Sequence, residues 1–174
     1  LACLINGGVM SKVLELAPEV VDFLNMESYL LDRSLWDEWL DLYTTDCEYW
    51  LPAWNSDTTL ITDPQKEVSL IYYSDRSGLE DRVFRIRTGV VSSATPMPRT
   101  VHLVNGVRIL SASDTTIEVA ASWICHWVWR KEFNTYAGHY EYELLRQENG
   151  LKIKRKKIIL INDLIPRVLD FYHI

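Results

Sequence analysis

Residues 122–133 read SWICHWVWRKEF and place one cysteine and one histidine among three tryptophans. Cysteine and histidine are common zinc ligands, and tryptophan rings can enclose an aromatic cofactor. If the segment is a β-strand, successive side chains alternate between two faces, so Cys125 and His126 cannot bind the same metal ion. One face would carry Trp123, Cys125, Trp127 and Trp129, and the other Ile124, His126 and Val128. Because both sets are bulky, we expect a central strand with core on one face and a second protein surface on the other.

Other signatures of chemistry are missing from the sequence. The four histidines, His102, His126, His139 and His173, form no His-x-x-x-His or Glu-x-x-His pair. There is no glycine-rich phosphate loop and no Gly-x-Ser-x-Gly elbow. We therefore predict no catalytic, metal or cofactor-binding residues in this chain.

An enzyme with a buried acid or base remains the main alternative. A stand-alone isomerase or dehydratase would need a titratable group in a low-dielectric pocket, and Asp46, Tyr49 and His102 are the first candidates. His102 could instead pair with polar neighbours at the start of a strand, near Arg99 and Asn105, and fix the loop there. A free-standing binding module would need an open apolar pocket, whereas seven tryptophans and nine tyrosines favour a filled one.

Composition and charge limit the possible partners. The chain has 174 residues, 48% of them hydrophobic, with a formal net charge of -6. This acidity argues against general nucleic-acid binding, which needs a basic face. The basic run KIKRKK lies on the last predicted strand, where alternation would place Lys152, Lys154 and Lys156 on one face and Arg155 and Lys157 on the other. We interpret these side chains as keeping a long strand soluble.

Cysteine usage and hydropathy bear on the compartment. The three cysteines are far apart and odd in number, which is typical of a reducing cytoplasm. No apolar stretch reaches the roughly 20 residues of a membrane helix, so we expect no membrane association. Residues 1–9 precede Met10, which resembles a natural start. We expect residues 1–17 to be a flexible extension and residues 18–174 to form one domain.

Periodicity predicts helices in the first half of the chain. Pro18 suits the first turn of a helix over residues 18–32, and Ser34 with Asp37 forms a capping pair for a second helix. A one-sided charged helix is predicted over residues 79–87. Short strands are expected at residues 47–51 and 68–73.

The second half predicts a curled sheet. Residues 100–112, 116–132, 136–148 and 151–162 are rich in Val, Ile, Trp and Tyr, with turn signals at residues 113–114, 134–135 and 149–150. Tight turns between them imply an antiparallel meander, and strands this long must twist and curl. The helices supply the apolar stripes that would fill the concave side. The expected fold is an α+β cone.

Several segments together resemble a known family. WDEWLDLYTTDCEYWLPAW, DPQKEVSLIYYSDRSGLEDRVFRIRTG, PRTVHLVNGVRIL and KIKRKKIILINDLIPRVLDFYHI resemble, in order and spacing, the small (beta) subunit of bacterial aromatic-ring-hydroxylating dioxygenases, in the benzoate, toluate and anthranilate branch. The resemblance covers about residues 18 to 174. It implies a cystatin-like cone, which agrees with the fold expected from strand length.

The resemblance also implies partners and chemistry. It implies an α3β3 assembly with a large alpha subunit and other copies of the small one. The large subunit would hold a Rieske [2Fe-2S] cluster and a mononuclear Fe(II), and the complex would use electrons from NADH to convert an aromatic carboxylate such as benzoate to a cis-dihydrodiol. This chain lacks the Cys-x-His and Cys-x-x-His set of such a cluster. A non-catalytic structural role is therefore expected.

The candidate interface or structural residues are mostly aromatic. They are Arg99, His102, Trp123, Trp127, Phe171 and Tyr172. The last two belong to VLDFYHI, a C-terminal segment more apolar than a free tail should be. We expect residues 167–174 to pack at a subunit interface, with Phe171 and Tyr172 as anchors.

Overall fold

Three helices precede four long strands in the chain. The structure, a computed structural model, describes residues 7–174, with side chains from residue 14 onward. The α-helices are α1 (Gly7–Asp32), α2 (Trp36–Asp41) and α3 (Arg76–Arg87). The strands are β1 (Tyr43–Pro52), β2 (Trp54–Ser56), β3 (Thr59–Leu60), β4 (Ser69–Tyr73), β5 (Arg99–Ala112), β6 (Thr116–Trp129), β7 (Glu132–Gln147) and β8 (Gly150–Leu160). Short 3-10 helices lie at Ser92–Ala94 and Phe171–His173.

The first helix begins earlier than predicted. Pro18 lies inside α1 rather than in its first turn, so the predicted helix start at residue 18 is wrong. Proline disfavours a helix interior but does not prevent helix on both sides of it. Residues 7–17 of the expected extension are helical, and residues 1–6 lie outside the described part of the chain.

The predicted cap of the second helix is also wrong. Leu35 is the N-cap of α2 and makes no side-chain capping bond, while Ser34 has a left-handed backbone with φ of 55°. The short α2 is held by tertiary packing, since Trp36 and Trp39 are buried. In α3, Asp75 caps the helix by accepting from the Ser77 backbone N–H.

The predicted antiparallel meander is confirmed. The six-stranded sheet has the order β4-β1-β8-β7-β6-β5, with β5 to β8 joined as consecutive antiparallel neighbours. Strand β1 adds to the sheet parallel to β8, and β4 forms the edge beyond it. Periodicity did not indicate this parallel pairing, because it joins segments about 100 residues apart.

The turn between β6 and β7 lies at Arg130 and Lys131, not at residues 134–135 as predicted. Both turn residues have positive φ, 48° and 73°. Asn134 sits within the ladder opposite Trp127, so the continuous pairing of two long strands overrides the turn preference of the Asn-Thr dipeptide.

A bulge in β8 overturns the predicted faces of the basic run. Glu143 pairs with Arg155 and Leu144 with Ile153, which leaves Lys154 as an extra residue. Alternation therefore shifts by one position, and Lys156 points inward, where none of its surface is exposed. The prediction that Lys156 keeps the strand soluble is wrong.

The core lies between the helices and the inner face of the sheet. In β6 the burial pattern alternates without interruption, with Trp123, Cys125, Trp127 and Trp129 facing inward. These side chains form one cluster with buried residues of α1, α2 and α3. The expected α+β architecture, with helices packed on the concave face of a curled sheet, is confirmed. No helix of the described residues is long and apolar enough to cross a bilayer.

Candidate functional site

Four polar side chains meet inside the cone and form what we call the interior cluster: Glu27, Tyr43, Tyr142 and Lys156. Glu27 Oε1 accepts hydrogen bonds from the Tyr43 hydroxyl at 2.5 Å and from Lys156 Nζ at 2.9 Å. Its Oε2 accepts from the Tyr142 hydroxyl at 2.8 Å. The Lys156 ammonium also lies 4.3 Å from the centre of the Tyr140 ring.

The cluster favours an ionised pair. Burial alone would raise the pKa of Glu27, but the Lys156 charge and the hydrogen bonds from Tyr43, Lys156 and Tyr142 outweigh it, and the pKa is lowered. Burial lowers the pKa of Lys156, and the Glu27 charge opposes that change. Since the carboxylate accepts three hydrogen bonds, we assign it as charged.

Sequence reasoning missed the interior cluster, although one signal was available. Glu27 lies on the apolar stripe of α1 with Val20, Leu24 and Leu31, at intervals of three to four residues. A charged residue on such a stripe indicates a buried partner. The partner could not be identified, because the bulge that turns Lys156 inward is not visible in the alternation of β8.

His102 joins α1 to β5. Its Nδ1 lies 2.7 Å from Asp32 Oδ1, and its backbone N–H donates to Asp32 Oδ2 at 3.0 Å. The Thr100 hydroxyl donates to the same carboxylate at 2.8 Å. Burial would raise the pKa of Asp32, but these contacts with His102 and Thr100 lower it. His102 thus pairs with a polar group, as the structural interpretation expected, but its partner Asp32 lies at the end of α1 and not near Arg99 and Asn105 in the sequence.

The C-terminal residues fill the core of their own chain. Phe171 stacks on Trp39 at a ring distance of 4.7 Å, and His173 lies 4.8 Å from the Trp127 ring. The Arg82 Nε–H is shared between the two Asp170 carboxylate oxygens, at 3.0 and 2.9 Å, and Arg82 Nη2 donates to Oδ2 at 2.5 Å. Only 1% of Phe171 and 1% of Tyr172 is exposed. Both rings are therefore unavailable as anchors for a second subunit, contrary to the expectation from the sequence.

The tryptophans of β6 that face inward are part of the hydrophobic core. Trp123 stacks on Tyr140 at 5.1 Å, and Trp127 packs against Tyr136 at 5.7 Å. Gly138, opposite Trp123, lets β7 and β8 approach closely, because a Cβ there would lie 1.8 Å from the Ile159 carbonyl oxygen and 3.1 Å from Trp123 Nε1.

The acid/base candidates are not brought together. Asp46 is on the surface of β1, where it pairs with Lys154 at 2.5 Å. Tyr49 is fully buried, and burial and then the Glu27 charge raise its pKa well above its usual value. His102 bonds to Asp32, and Arg99 is exposed at the start of β5. Asp46, Tyr49 and His102 therefore do not lie in one site where an isomerase or dehydratase reaction could take place.

Metal ligands are not grouped in the described part of the chain. Among those residues, no set of three or more His, Cys, Asp or Glu side chains could hold a metal ion. Cys47 and Cys125 are both buried free thiols, and burial raises the pKa of Cys47 to about 11.

The convex face of the sheet exposes apolar side chains, which we call the outer patch: Val101, Leu103, Ile124 and Phe133. Their exposed fractions are 46%, 52%, 40% and 64%. Leu103 and Ile124 are directly paired across β5 and β6, and the patch continues along β7. Exposed apolar clusters of this kind usually mark contacts with another protein.

Comparison with known proteins identifies relatives along most of the chain. Residues 26–167 match the family described as ring hydroxylating beta subunit. The 2-halobenzoate 1,2-dioxygenase small subunit of Burkholderia cepacia is 45% identical over 156 residues, which is 90% of this chain and 94% of that protein.

Solved structures agree with this. The crystal structure of the beta subunit of the benzoate 1,2-dioxygenase of Burkholderia mallei superposes with a TM-score of 0.75 at 37% identity, covering 89% of this chain and 95% of that one. An NTF2-like protein with a cystatin-like fold from Novosphingobium aromaticivorans gives a TM-score of 0.62 at 12% identity, covering 94% of each chain. The second likeness concerns the fold alone and supports the cystatin-like cone.

Proposed function

This chain belongs to the ring hydroxylating beta subunit family, and we propose that it is the non-catalytic structural subunit of a dioxygenase that cis-dihydroxylates an aromatic carboxylate such as benzoate. The observation that carries the proposal is the match over residues 26–167, combined with 45% identity to the small subunit of a 2-halobenzoate dioxygenase. The named substrates of this relative and of the benzoate enzyme are both carboxylated benzene rings.

Residues 7–174, the part of the chain that the structure describes, do not fit the iron centres that the family implies. A Rieske cluster needs two cysteine and two histidine ligands, and a mononuclear iron of this type needs two histidines and a carboxylate. The described residues bring no three such side chains together. We propose that the Rieske cluster and the Fe(II) are held by the large alpha subunit, and we assign no catalytic step to residues of this chain.

The proposed role is to hold large subunits in register, in an α3β3 assembly that also brings copies of this chain together. The outer patch supports this role, because it leaves apolar surface uncovered on the face opposite the core. We propose that the large subunit covers this patch. We place the complex in the cytoplasm, which is consistent with the buried free thiols Cys47 and Cys125.

Reconstitution tests the function. The chain is mixed with the large subunit of a benzoate-type dioxygenase, the reductase and NADH, and benzoate oxidation is followed by product analysis. We expect activity only when the large subunit is present, and a stable hexamer only when this chain is present. Activity from this chain and the reductase alone would overturn the assignment. Elemental analysis of the purified chain should show far less than one iron or zinc per molecule.

The interface is tested separately by Leu103→Lys, which places a charge in the outer patch. Phe84→Lys is the matched control, because Phe84 is 67% exposed on α3, away from the patch. We expect Leu103→Lys to prevent co-purification with the large subunit while the chain stays folded, and Phe84→Lys to assemble normally. If Leu103→Lys assembles like the control, the large subunit binds elsewhere.

A further inference from the structure

A cavity opens at the mouth of the cone, where the β6–β7 turn, the segment 92–98 and the C-terminal residues 166–173 meet. We call it the mouth cavity. Its volume is about 300 Å³, which lies at the lower end of the ~300–1,000 Å³ typical of small-molecule sites. It is separate from the interior cluster and from the outer patch, and the structural role proposed above makes no use of it.

The rim of the mouth cavity carries two guanidinium groups. Arg130 and Arg167 lie over the Trp129 ring, with guanidinium carbons 4.2 and 4.6 Å from its centre. Trp129 is itself fixed, since its indole N–H donates to the Pro96 carbonyl at 2.7 Å. Both guanidiniums are thus positioned by one anchored aromatic ring.

The rim has an excess of positive charge. Arg167 is paired with Glu132 at 2.6 Å, whereas Arg130 Nη2 donates a hydrogen bond to the neutral Thr95 carbonyl at 3.3 Å. Two cations and one carboxylate leave a charge of about +1 at the rim. The planar fork of an arginine matches a carboxylate with two parallel hydrogen bonds.

The inner wall is aromatic and uncharged. It is formed by Trp127 and His173, which are 1% and 2% exposed. His173 Nδ1 accepts from the Asp170 backbone N–H at 3.3 Å, which places the ring proton on Nε2. Burial and then the nearby His102 lower the pKa of His173 to about 3, so the ring is neutral at pH 7. A flat apolar ligand therefore meets no charge at this end.

The backbone at Arg130 has a conformation that its side chain does not favour. Arg130 and Lys131 have φ of 48° and 73°, in a two-residue turn where Asn-Gly is the preferred sequence. Strained positions of this kind tend to occur where a side chain has a function. The observation supports a role for Arg130 beyond closing the hairpin.

We infer that the mouth cavity binds a monocyclic aromatic carboxylate, with the carboxylate on Arg130 and the ring against Pro166 and Val168, apolar lining residues that are exposed. The ligand class rests on the proposed function, because it is the class to which the named substrates of the relatives belong. Arg167 adds a second cation near the carboxylate, and Trp129 holds both arginines in place. From the size of the ligand, we expect a Kd on the order of 0.1 to 1 mM.

Calorimetric titration of the full chain with benzoate tests the inference. The chain should show one saturable site. Benzamide, which keeps the ring but lacks the charge, and acetate, which keeps the charge but lacks the ring, should each bind about tenfold more weakly or worse. Arg130→Gln should weaken benzoate binding at least about tenfold. Lys131→Gln is the matched control, because it removes a charge from the same turn at a residue that does not line the cavity, and it should leave the Kd within about twofold.

Three results would overturn the inference: no saturable binding at about 10 mM benzoate, equal binding by Arg130→Gln and wild type, or equal losses in Arg130→Gln and Lys131→Gln. If Arg130→Gln unfolds the chain, Arg130→Lys serves instead, since it keeps the charge but loses the fork and should bind more weakly than wild type. Assembly of Arg130→Gln with the large subunit is measured in parallel. If the wild-type chain assembles normally with the large subunit but does not bind benzoate, the inference that the mouth cavity binds a ligand is wrong, and the proposed function still stands.

Discussion

Replacing Lys156 with methionine removes the ammonium group from the interior cluster while keeping a side chain of similar length. Glu27 then stays buried without its counter-charge and keeps only the hydrogen bonds from Tyr43 and Tyr142. Removing one partner of a buried ion pair costs about 3 to 5 kcal/mol of folding free energy. Since two of the three hydrogen bonds survive, we expect a loss toward the lower end of that range at neutral pH.

The pH dependence gives a sharper test. In the wild type the pKa of Glu27 is lowered from 4.5, so its stabilising contribution is present above pH 4.5 and is lost only as the pH falls through the folded-state pKa. In Lys156→Met, burial remains and the cation is gone, so we expect the folded-state pKa to rise above 4.5. Stability then falls as pH rises from 4.5 to the new pKa, by about 1.4 kcal/mol per pH unit. The variant should be closest to wild type in acid.

Urea unfolding followed by circular dichroism, at about pH 5 and about pH 7.5, measures both effects. Lys157→Met is the control, because Lys157 pairs with Glu141 at 3.2 Å on the outer side of β8 with 20% and 42% of the two side chains exposed. A surface pair contributes about 0 to 1 kcal/mol. If Lys156→Met costs less than about 1 kcal/mol, and its difference from wild type does not change with pH, the assignment of a charged buried pair is wrong.

Three further changes test the packing. Phe171→Ala should cost about 3 to 5 kcal/mol in the isolated chain, whereas Val168→Ala, at a position 61% exposed, should be close to neutral; an isolated chain unaffected by Phe171→Ala would return the tail to a subunit interface. Trp127→Ala should likewise cost about 3 to 5 kcal/mol, and a fully stable variant that fails to assemble would contradict its place in the core. Lys131→Gly should raise the urea concentration at the midpoint of unfolding, with a gain of up to about 1 kcal/mol in the free energy of unfolding, because glycine accepts positive φ without strain. A lower midpoint would show that the turn is not strained.

Sequence patterns were sufficient to predict the family, the meander and the division of β6 into two faces, although not which face is buried in the core. Alternation over residues 116–129 is long and regular, so the positions of Trp123, Cys125 and Trp127 follow from the two-residue period of a strand. The stripe of α3 was equally visible, since Leu79 and Val83 are buried as predicted. These features depend on local geometry, which a sequence expresses directly.

Which polar groups are buried, and where the C-terminal segment lies, could be established only from the tertiary structure. The bulge at Lys154 shifts the alternation by one residue and sends Lys156 to Glu27, 129 positions away. The tail returns to the core because Trp39 and Trp127 leave space for Phe171 and His173. Neither feature can be predicted from the neighbouring residues in the sequence, because a one-residue shift in register and a long-range contact both depend on the shape of the whole curled sheet. A strand's period predicts its faces only as far as the first bulge.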